Sequence, residues 1–476
     1  MKIFAARWLA AASIFVTGTA VAVDPGFATD PYPSTYRAAP ASPVLIRNAN
    51  VLDGAGGRHD GADVLMRDGR IVAVGQNLTA DGATVVDAKG RWVTPGLIDV
   101  HSHLGVDASP GVKAHRDLNE ATDPVTAGVW AEHGVWPQDP GFATALAGGI
   151  TTLQILPGSA NLIGGRGVTL RNAHATTMQA MKFPGAPHGL KMACGENPKR
   201  NYGGKGRAPS TRMGNVAGYR QAFADAQDYR GQWLKYEREL ADYESQQSGK
   251  RKKRGDTSAP PKPPKRDLRL DTLVAAMDGD IQVHVHCYRA DEMAIMLDLA
   301  REFGFKVAAF HHGVEAYKIA DRLAAEGVCG ALWADWWGFK LEAYDAIWEN
   351  LAFVDAPADG CAIVHSDSEE GIQRLNQEAA KAMARGQRAG LDIPPERAIR
   401  WITSNAARSL GIAGKVGTLE PGKLADVVIW NRDPFSVYAQ AERVYIEGVL
   451  MYDRAAPAST PASDFLLGQP AAGGAR

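Results

Sequence analysis

Cysteine is scarce: four residues in 476. That excludes a disulfide-built scaffold, and Cys194, Cys287, Cys329 and Cys361, all in or beside apolar runs, are expected as buried free thiols. An oxidising compartment would still permit a disulfide between two of them. Net charge is almost missing as well, with 52 Lys and Arg against 53 Asp and Glu, so the global field expected of a nucleic-acid or anionic-membrane binder is absent. Past the first two dozen residues no apolar run approaches the roughly 20 residues needed to span a bilayer. No internal repeat is visible. What is present is ordinary globular composition, 45% apolar and 22% charged, with 51 glycines that suit tight strand–helix turns. The length fits two or three domains.

The first 22 residues read as a secretory signal peptide. Lys2 and Arg7 precede the apolar run Trp8 to Val16, and Ala20-Val21-Ala22 is a small-residue cleavage site. Export, cleavage near Ala22 and a periplasmic location are therefore expected. Residues 23–43, rich in Pro, Ala and Ser, read as an irregular lead-in. Short apolar runs separated by Asp-Gly and Gly-Gly turns fill 44–94, and a similar block returns over 413–455, before an irregular tail at 456–476. Two β-rich ends around a long middle predict that the ends pair into one small β-sandwich domain.

The middle, 95–412, alternates strand-like and helical stretches. The strand-like runs are Leu97–Val100, Thr151–Leu156, Leu190–Ala193, Ile281–Val285, Val307–Phe310, Val328–Trp333 and Cys361–Val364. Strands alternating with helices call for a parallel sheet with crossovers, and seven or eight such units predict an α/β fold of the (β/α)8 barrel type. A polar and basic insertion at about 203–270 interrupts the rhythm. It holds the helix-prone stretch Asn215–Gln247 and the run Lys250–Arg254, and it reads as a solvated excursion rather than a nucleic-acid patch.

Histidine is where chemistry gathers. His101, His103, His284, His286, His311, His312 and His365 all sit at the C-terminal ends of strand-like runs, the face on which a barrel builds its active site. Strand residues two apart share a face, so His101 and His103 can chelate one divalent ion; imidazole suits zinc, and also iron or manganese.

With Pro95-Gly96 and an apolar strand before His101, and Gly417-Thr418-Leu419-Glu420-Pro421-Gly422 returning toward the β-rich end, the chain resembles the metal-dependent amidohydrolase superfamily. Its detail is similar to the imidazolonepropionase-like and metallo-dipeptidase branch. The resemblance implies a barrel with a small β-sandwich and one or two divalent ions. It implies His101, His103, His286, His312 and Asp367 as ligands, with His284 the alternative to His286 and His311 packed on the other face. For the bridging ligand it offers Glu196, favoured for its place at a strand tip, or Lys191, where several members carry a carboxylated lysine. It further implies an activated water as nucleophile and Asp367 as the acid and base. Tyr202, Arg212 and His284 are candidate oxyanion donors, and Asn161 lies in Gly158–Gly165, which reads equally as a substrate-shaping loop or a tight turn. The implied partner is a small amide, dipeptide-like or cyclic amide substrate, with no nucleic acid and no stable membrane span, and self-association into a homo-oligomer stays open. A deaminase of the same superfamily is the alternative, weakened because Arg289 follows His286 by three residues where a Glu is usual. A non-catalytic binding protein on a barrel scaffold predicts a decayed ligand set, which the intact histidines and Asp367 oppose.

Overall fold

The structure is a computed structural model that describes residues 27, 30–108, 111–248, 259–336 and 338–456. The expected leader, the run Lys250–Arg254 and nearly all of the tail lie outside the described residues. No helix among the described residues is long and apolar enough to cross a membrane.

The chain opens with β1 (Val44–Leu52), β2 (Arg58–Arg67), β3 (Arg70–Gly75), β4 (Thr84–Asp87) and β5 (Trp92–Pro95). The turn between β2 and β3 is Asp68-Gly69, both residues at positive φ (51° and 73°). That conformation matches the right-handed twist of a two-residue hairpin and needs residues of this kind. Eight further strands form the second sheet in chain order: β6 (Leu97–Ser102), β7 (Ile150–Ile155), β8 (Ile163–Arg171), β9 (Gly189–Ala193), β10 (Gln282–His286), β11 (Val307–His311), β12 (Cys329–Leu332) and β13 (Ala362–Val364). The chain then returns through β14 (Val427–Trp430), β15 (Ala441–Ile446) and β16 (Val449–Asp453), which extend the first sheet through β14 pairing with β5. Both chain ends thus share one sheet, whose core runs from Val44, Ile46 and Val64 to Val427, Ile429 and Tyr445.

The second sheet is the wall of an α/β barrel. The seven strand-like runs read from the sequence all form, and the eighth strand is the one the sequence hid. β8 runs antiparallel to both β7 and β9, so part of the segment read as a loop or turn is barrel wall. Its sequence, Ile-Gly-Gly-Arg-Gly-Val-Thr-Leu-Arg, shows neither an apolar run nor alternation, yet every residue is buried. Glycine supplies close approach: a Cβ on Gly165 would lie 2.2 Å from the Val129 carbonyl. The two arginines are buried with polar partners: Arg166 donates to Thr272 Oγ1 (2.8 Å) and the Phe27 carbonyl (3.2 Å), while its Nη1 and the Arg171 Nε have no hydrogen-bond partner among the described residues. Arg171 makes paired hydrogen bonds to Asp426 (2.5 and 2.7 Å) and an ion pair with Glu447 (3.1 Å), tying the barrel to the terminal sheet.

Asn215–Gln247 falls inside one helix, Arg212–Ser248, whose first half packs on the barrel through Tyr219, Phe223, Ala226 and Tyr229. The cysteines differ from expectation. Cys194–Cys287 joins the ends of β9 and β10, and Cys329–Cys361 joins the starts of β12 and β13. Each pair sits on hydrogen-bonded neighbouring strands, with Cα atoms 5.2 and 4.6 Å apart, within bridging reach. Scarcity argued correctly against a scaffold of disulfides, but not against two local ones.

Candidate active site

The strand order brings the histidines together at one mouth. His101 lies near the end of β6 and His103 just beyond it, and their Nε2 atoms are 3.3 Å apart. His103 Nδ1 stands 2.8 Å from the Leu156 carbonyl after β7. A carbonyl only accepts, so Nδ1 carries a proton and Nε2 is the atom turned to the site. Asp367 follows β13 and puts Oδ1 3.0 Å from His103 Nε2 and 3.3 Å from His101 Nε2. Its φ is +50°, and that of His312 is +68°. Left-handed backbone is costly for residues with a Cβ. Both residues adopt it at the barrel mouth, where His312 Nε2 lies 3.8 Å from Asp367 Oδ2.

Burial is the dominant electrostatic fact. It pulls His101, His286, His311 and His312 well below the ordinary imidazole pKa, and His284 and His365 to about 3, so the rings are neutral. Burial likewise lowers Lys191 to about 8. Its Nζ rises from β9 to 3.2 Å from His101 Nε2. Burial works against the charge of Asp367, but the His103 hydrogen bond and the neighbouring His103, His365 and Lys191 outweigh it and hold the carboxyl below its usual range.

These residues fit a divalent ion. His101, His103 and Asp367 offer ligand atoms within 4.8 Å of one another, and so do His101, His312 and His365. Nδ1 of His286 and of His312 and both ring nitrogens of His365 are buried without a hydrogen-bond partner. Such orphaned atoms are costly, and neutral imidazole lone pairs around a carboxylate are a donor set for zinc, iron or manganese.

Not every expected residue joins them. Glu196 does not continue β9. Gly195 at φ +77° ends the strand, Glu196 opens the helix Glu196–Gly203, and its carboxylate lies 3.7 Å from Lys340 and 3.8 Å from Arg200. The structure therefore brings Lys191, not Glu196, beside His101. Asn161 and Tyr202, expected at the substrate, are spent on each other. Tyr202 Oη is 2.5 Å from Asn161 Oδ1, and Asn161 donates to Thr126 Oγ1 (2.7 Å) and the Glu120 carbonyl (2.8 Å). Arg212 is paired with Glu292 and Glu342 at 3.0 and 2.8 Å. His284 lies beneath the site against His311.

The mouth opens into a cavity of about 710 Å³ lined by Asn119, Ser159, Asn197, Arg200, Lys205 and Glu369 along with His101, His103, His312 and Asp367. Asn197 donates to Ser159 Oγ (2.9 Å) and approaches His286 Nε2 (3.4 Å). Ser159 lies in the Gly158–Gly165 stretch read as a possible substrate-shaping loop, whereas Asn197, in the first turn of the helix Glu196–Gly203, matches no ligand spacing and has no signal in the sequence. Trp333 stacks on His312 at 4.3 Å, backing that ring; its place at the end of an apolar run was the available signal.

Residues 358–451 match the amidohydrolase family. Among solved structures, an amidohydrolase from Thermotoga maritima MSB8 is 34% identical with a TM-score of 0.74, and the match covers 86% of this chain and all of that one. Amidohydrolase tasK of Hapsidospora irregularis is 30% identical over 459 residues, 88% of this chain and 44% of that protein. A dihydroorotase of Syntrophotalea carbinolica is 41% identical over 85 residues, 18% of this chain and 19% of that one. The chain thus spans less than half the length of the curated relatives it matches. The relative matched along its entire length carries the assignment: the chain belongs to the amidohydrolase family, hydrolases that act at carbon–nitrogen bonds.

Proposed function

We propose that this protein is an exported, metal-dependent hydrolase of a C–N bond in a small amide, dipeptide-like or cyclic amide substrate. The observation that carries the reading is the convergence of His101, His103 and Asp367 within 3.0–3.3 Å at the barrel mouth. One or two divalent ions, zinc foremost, would be held by these three with His286 and His312 and with Lys191 as the nearer bridging candidate, and would supply Lewis acidity toward water and the scissile carbonyl. Asp367, kept ionised by its neighbours, accepts the proton of the attacking water and returns it to the departing nitrogen. Asn197 and Ser159 stand on the cavity wall as hydrogen-bonding groups for the substrate. The rim bears both signs, Arg200 and Lys205 with Asp107 and Glu369, which suits a zwitterion with separated ends such as a dipeptide. The two disulfides support export, since such bonds persist in oxidising compartments. Arg289, at the position where a deaminase would need its acid, pairs with Asp291 at 2.9 Å and supports hydrolysis over deamination.

The test is Asp367→Asn with a screen of dipeptides, N-acyl amino acids and cyclic amides. Asn keeps the shape and one oxygen but accepts no proton at neutral pH. Most of the metal should stay while kcat falls by about 10²–10⁴. Wild-type turnover in the variant would overturn the assignment.

A further inference from the structure

Beneath the candidate ligands runs a chain of buried polar side chains that catalysis does not use. Gln154 on β7 places Nε2 3.4 Å from His284 Nε2 on β10. His284 Nδ1 is 2.9 Å from His311 Nε2 on β11. His311 Nδ1 is 2.9 Å from His101 Nδ1 on β6. All four side chains are at most 1% exposed, so a row of three rings in mutual hydrogen-bond reach avoids a buried charge only in the neutral form. The barrel makes room for the far end: a Cβ on Gly189 would lie 2.7 Å from Gln154 Nε2 and 3.1 Å from His284 Cδ2.

A neutral imidazole has one N–H and one lone pair, so a row of three has two self-consistent proton patterns. In the first, each ring donates toward the mouth. His101 then carries its proton on Nε2 and has no lone pair facing Asp367 and His103. In the second, each ring donates away from the mouth: His101 Nδ1–H to His311, His311 Nε2–H to His284, and His284 Nε2–H to Gln154. That pattern frees the His101 Nε2 lone pair on the side of His103 and Asp367, and it requires an acceptor at the bottom. A carboxamide is the neutral side chain that can serve either pattern, because half a turn exchanges its NH2 for its carbonyl oxygen. Gln154 Oε1 has no other hydrogen bond to give up.

We propose that Gln154, His284 and His311 are positioning residues that lock His101 in its Nδ1–H tautomer, with Gln154 Oε1 as the terminal acceptor, and so present His101 Nε2 to a divalent cation. Metal-bound histidines commonly donate their other N–H to such a partner, and removing the partner weakens the metal by about 10–100-fold. Here the partner is a relay three side chains deep, anchored on three different strands.

The inference rests on the metal-site reading, and the experiment separates the two. Zinc affinity is measured by competition with a chromophoric chelator for wild type, Gln154→Leu, Gln154→Glu and His311→Phe, with thermal melts for folding. Gln154→Leu and His311→Phe should bind zinc about 10–100-fold more weakly, and Gln154→Glu, which keeps an acceptor, should recover most of the loss. In zinc-loaded wild type labelled with ¹⁵N-histidine, the imidazole shifts should show His101 protonated at Nδ1 and His284 at Nε2. Wild-type affinity in Gln154→Leu, or a His284 proton on Nδ1 in the loaded protein, overturns the relay and leaves the metal site standing. A wild type that binds no divalent ion overturns both.

Discussion

Replacing Lys191 with methionine tests the bridging position directly. The lysine side chain is 1% exposed with its amine 3.2 Å from His101 Nε2. An unbranched thioether of similar length fills the same space, so loss of packing is small. Burial lowers the amine from 10.5 to about 8, so far more of it is free base near neutrality than of an exposed lysine. Free amine adds carbon dioxide to give a carbamate and releases one proton, converting a cation beside the histidines into an oxygen-bearing anion. The assay is zinc uptake by chelator-stripped protein in carbon dioxide-free buffer and in bicarbonate, between pH 6.5 and 8.5. Wild type should take up more metal with bicarbonate, and the stimulation should weaken as pH falls below about 8. Lys191→Met should lose the response, whereas Glu196→Gln should keep it, because Glu196 faces Lys340 and Arg200 instead. Bicarbonate-independent uptake in wild type, with loss of metal in Glu196→Gln, would refute the reasoning and make Glu196 the bridge.

Asp426→Asn leaves the fully buried Arg171 short of its countercharge and should cost about 3–5 kcal/mol in urea unfolding, while Arg171→Met with Asp426→Leu should cost less; equal losses would contradict the pairing. His284 and His365 have folded pKa values near 3 against 6.5, so between those limits the unfolded chain binds the extra protons. Their contribution is complete above about pH 6.5 and is lost on acidification, about 1.4 kcal/mol per pH unit for each group. Metal-free protein should accordingly be less stable at pH 5.5 than at 7.5 by at least about 3 kcal/mol, the other buried histidines adding to these two, and equal urea midpoints would sink the assignment of these rings as neutral.

The sequence made the barrel legible wherever strands were apolar runs, and it marked the mouth because His101-Ser-His103 and His365-Ser-Asp367 repeat the two-residue period of a strand. It failed where burial depends on partners distant in the chain. Arg166 and Arg171 do not read as core until Thr272 and Asp426 are folded against them, so β8 went unseen. Spacing alone puts Glu196 at the tip of the strand that carries Lys191, but that strand ends at Ala193 and the positive φ of Gly195 turns the chain before Glu196. Asn161, Tyr202 and Arg212 are polar near the site, yet each is consumed by a neighbour that spacing cannot reveal. His311 read as packing, and so it is, though what it packs against is His101.

The reversed strand also bears on the order of assembly. β7 and β8 are joined by residues 156–162 and β8 and β9 by 172–188, whereas the parallel step from β9 to β10 spans 194–281. Closing a short connection costs less chain entropy than closing a long one, and local contacts speed folding. The β7–β8 hairpin, closed by residues 156–162 alone, is therefore placed to form before the crossovers dock. Pulse-labelled amide exchange should protect Leu153 and Leu170 ahead of Val364 in β13; simultaneous protection would mean that the wall closes as one unit. A barrel of uniform βα units has no preferred starting point, and this one acquires it from a single strand turned the other way.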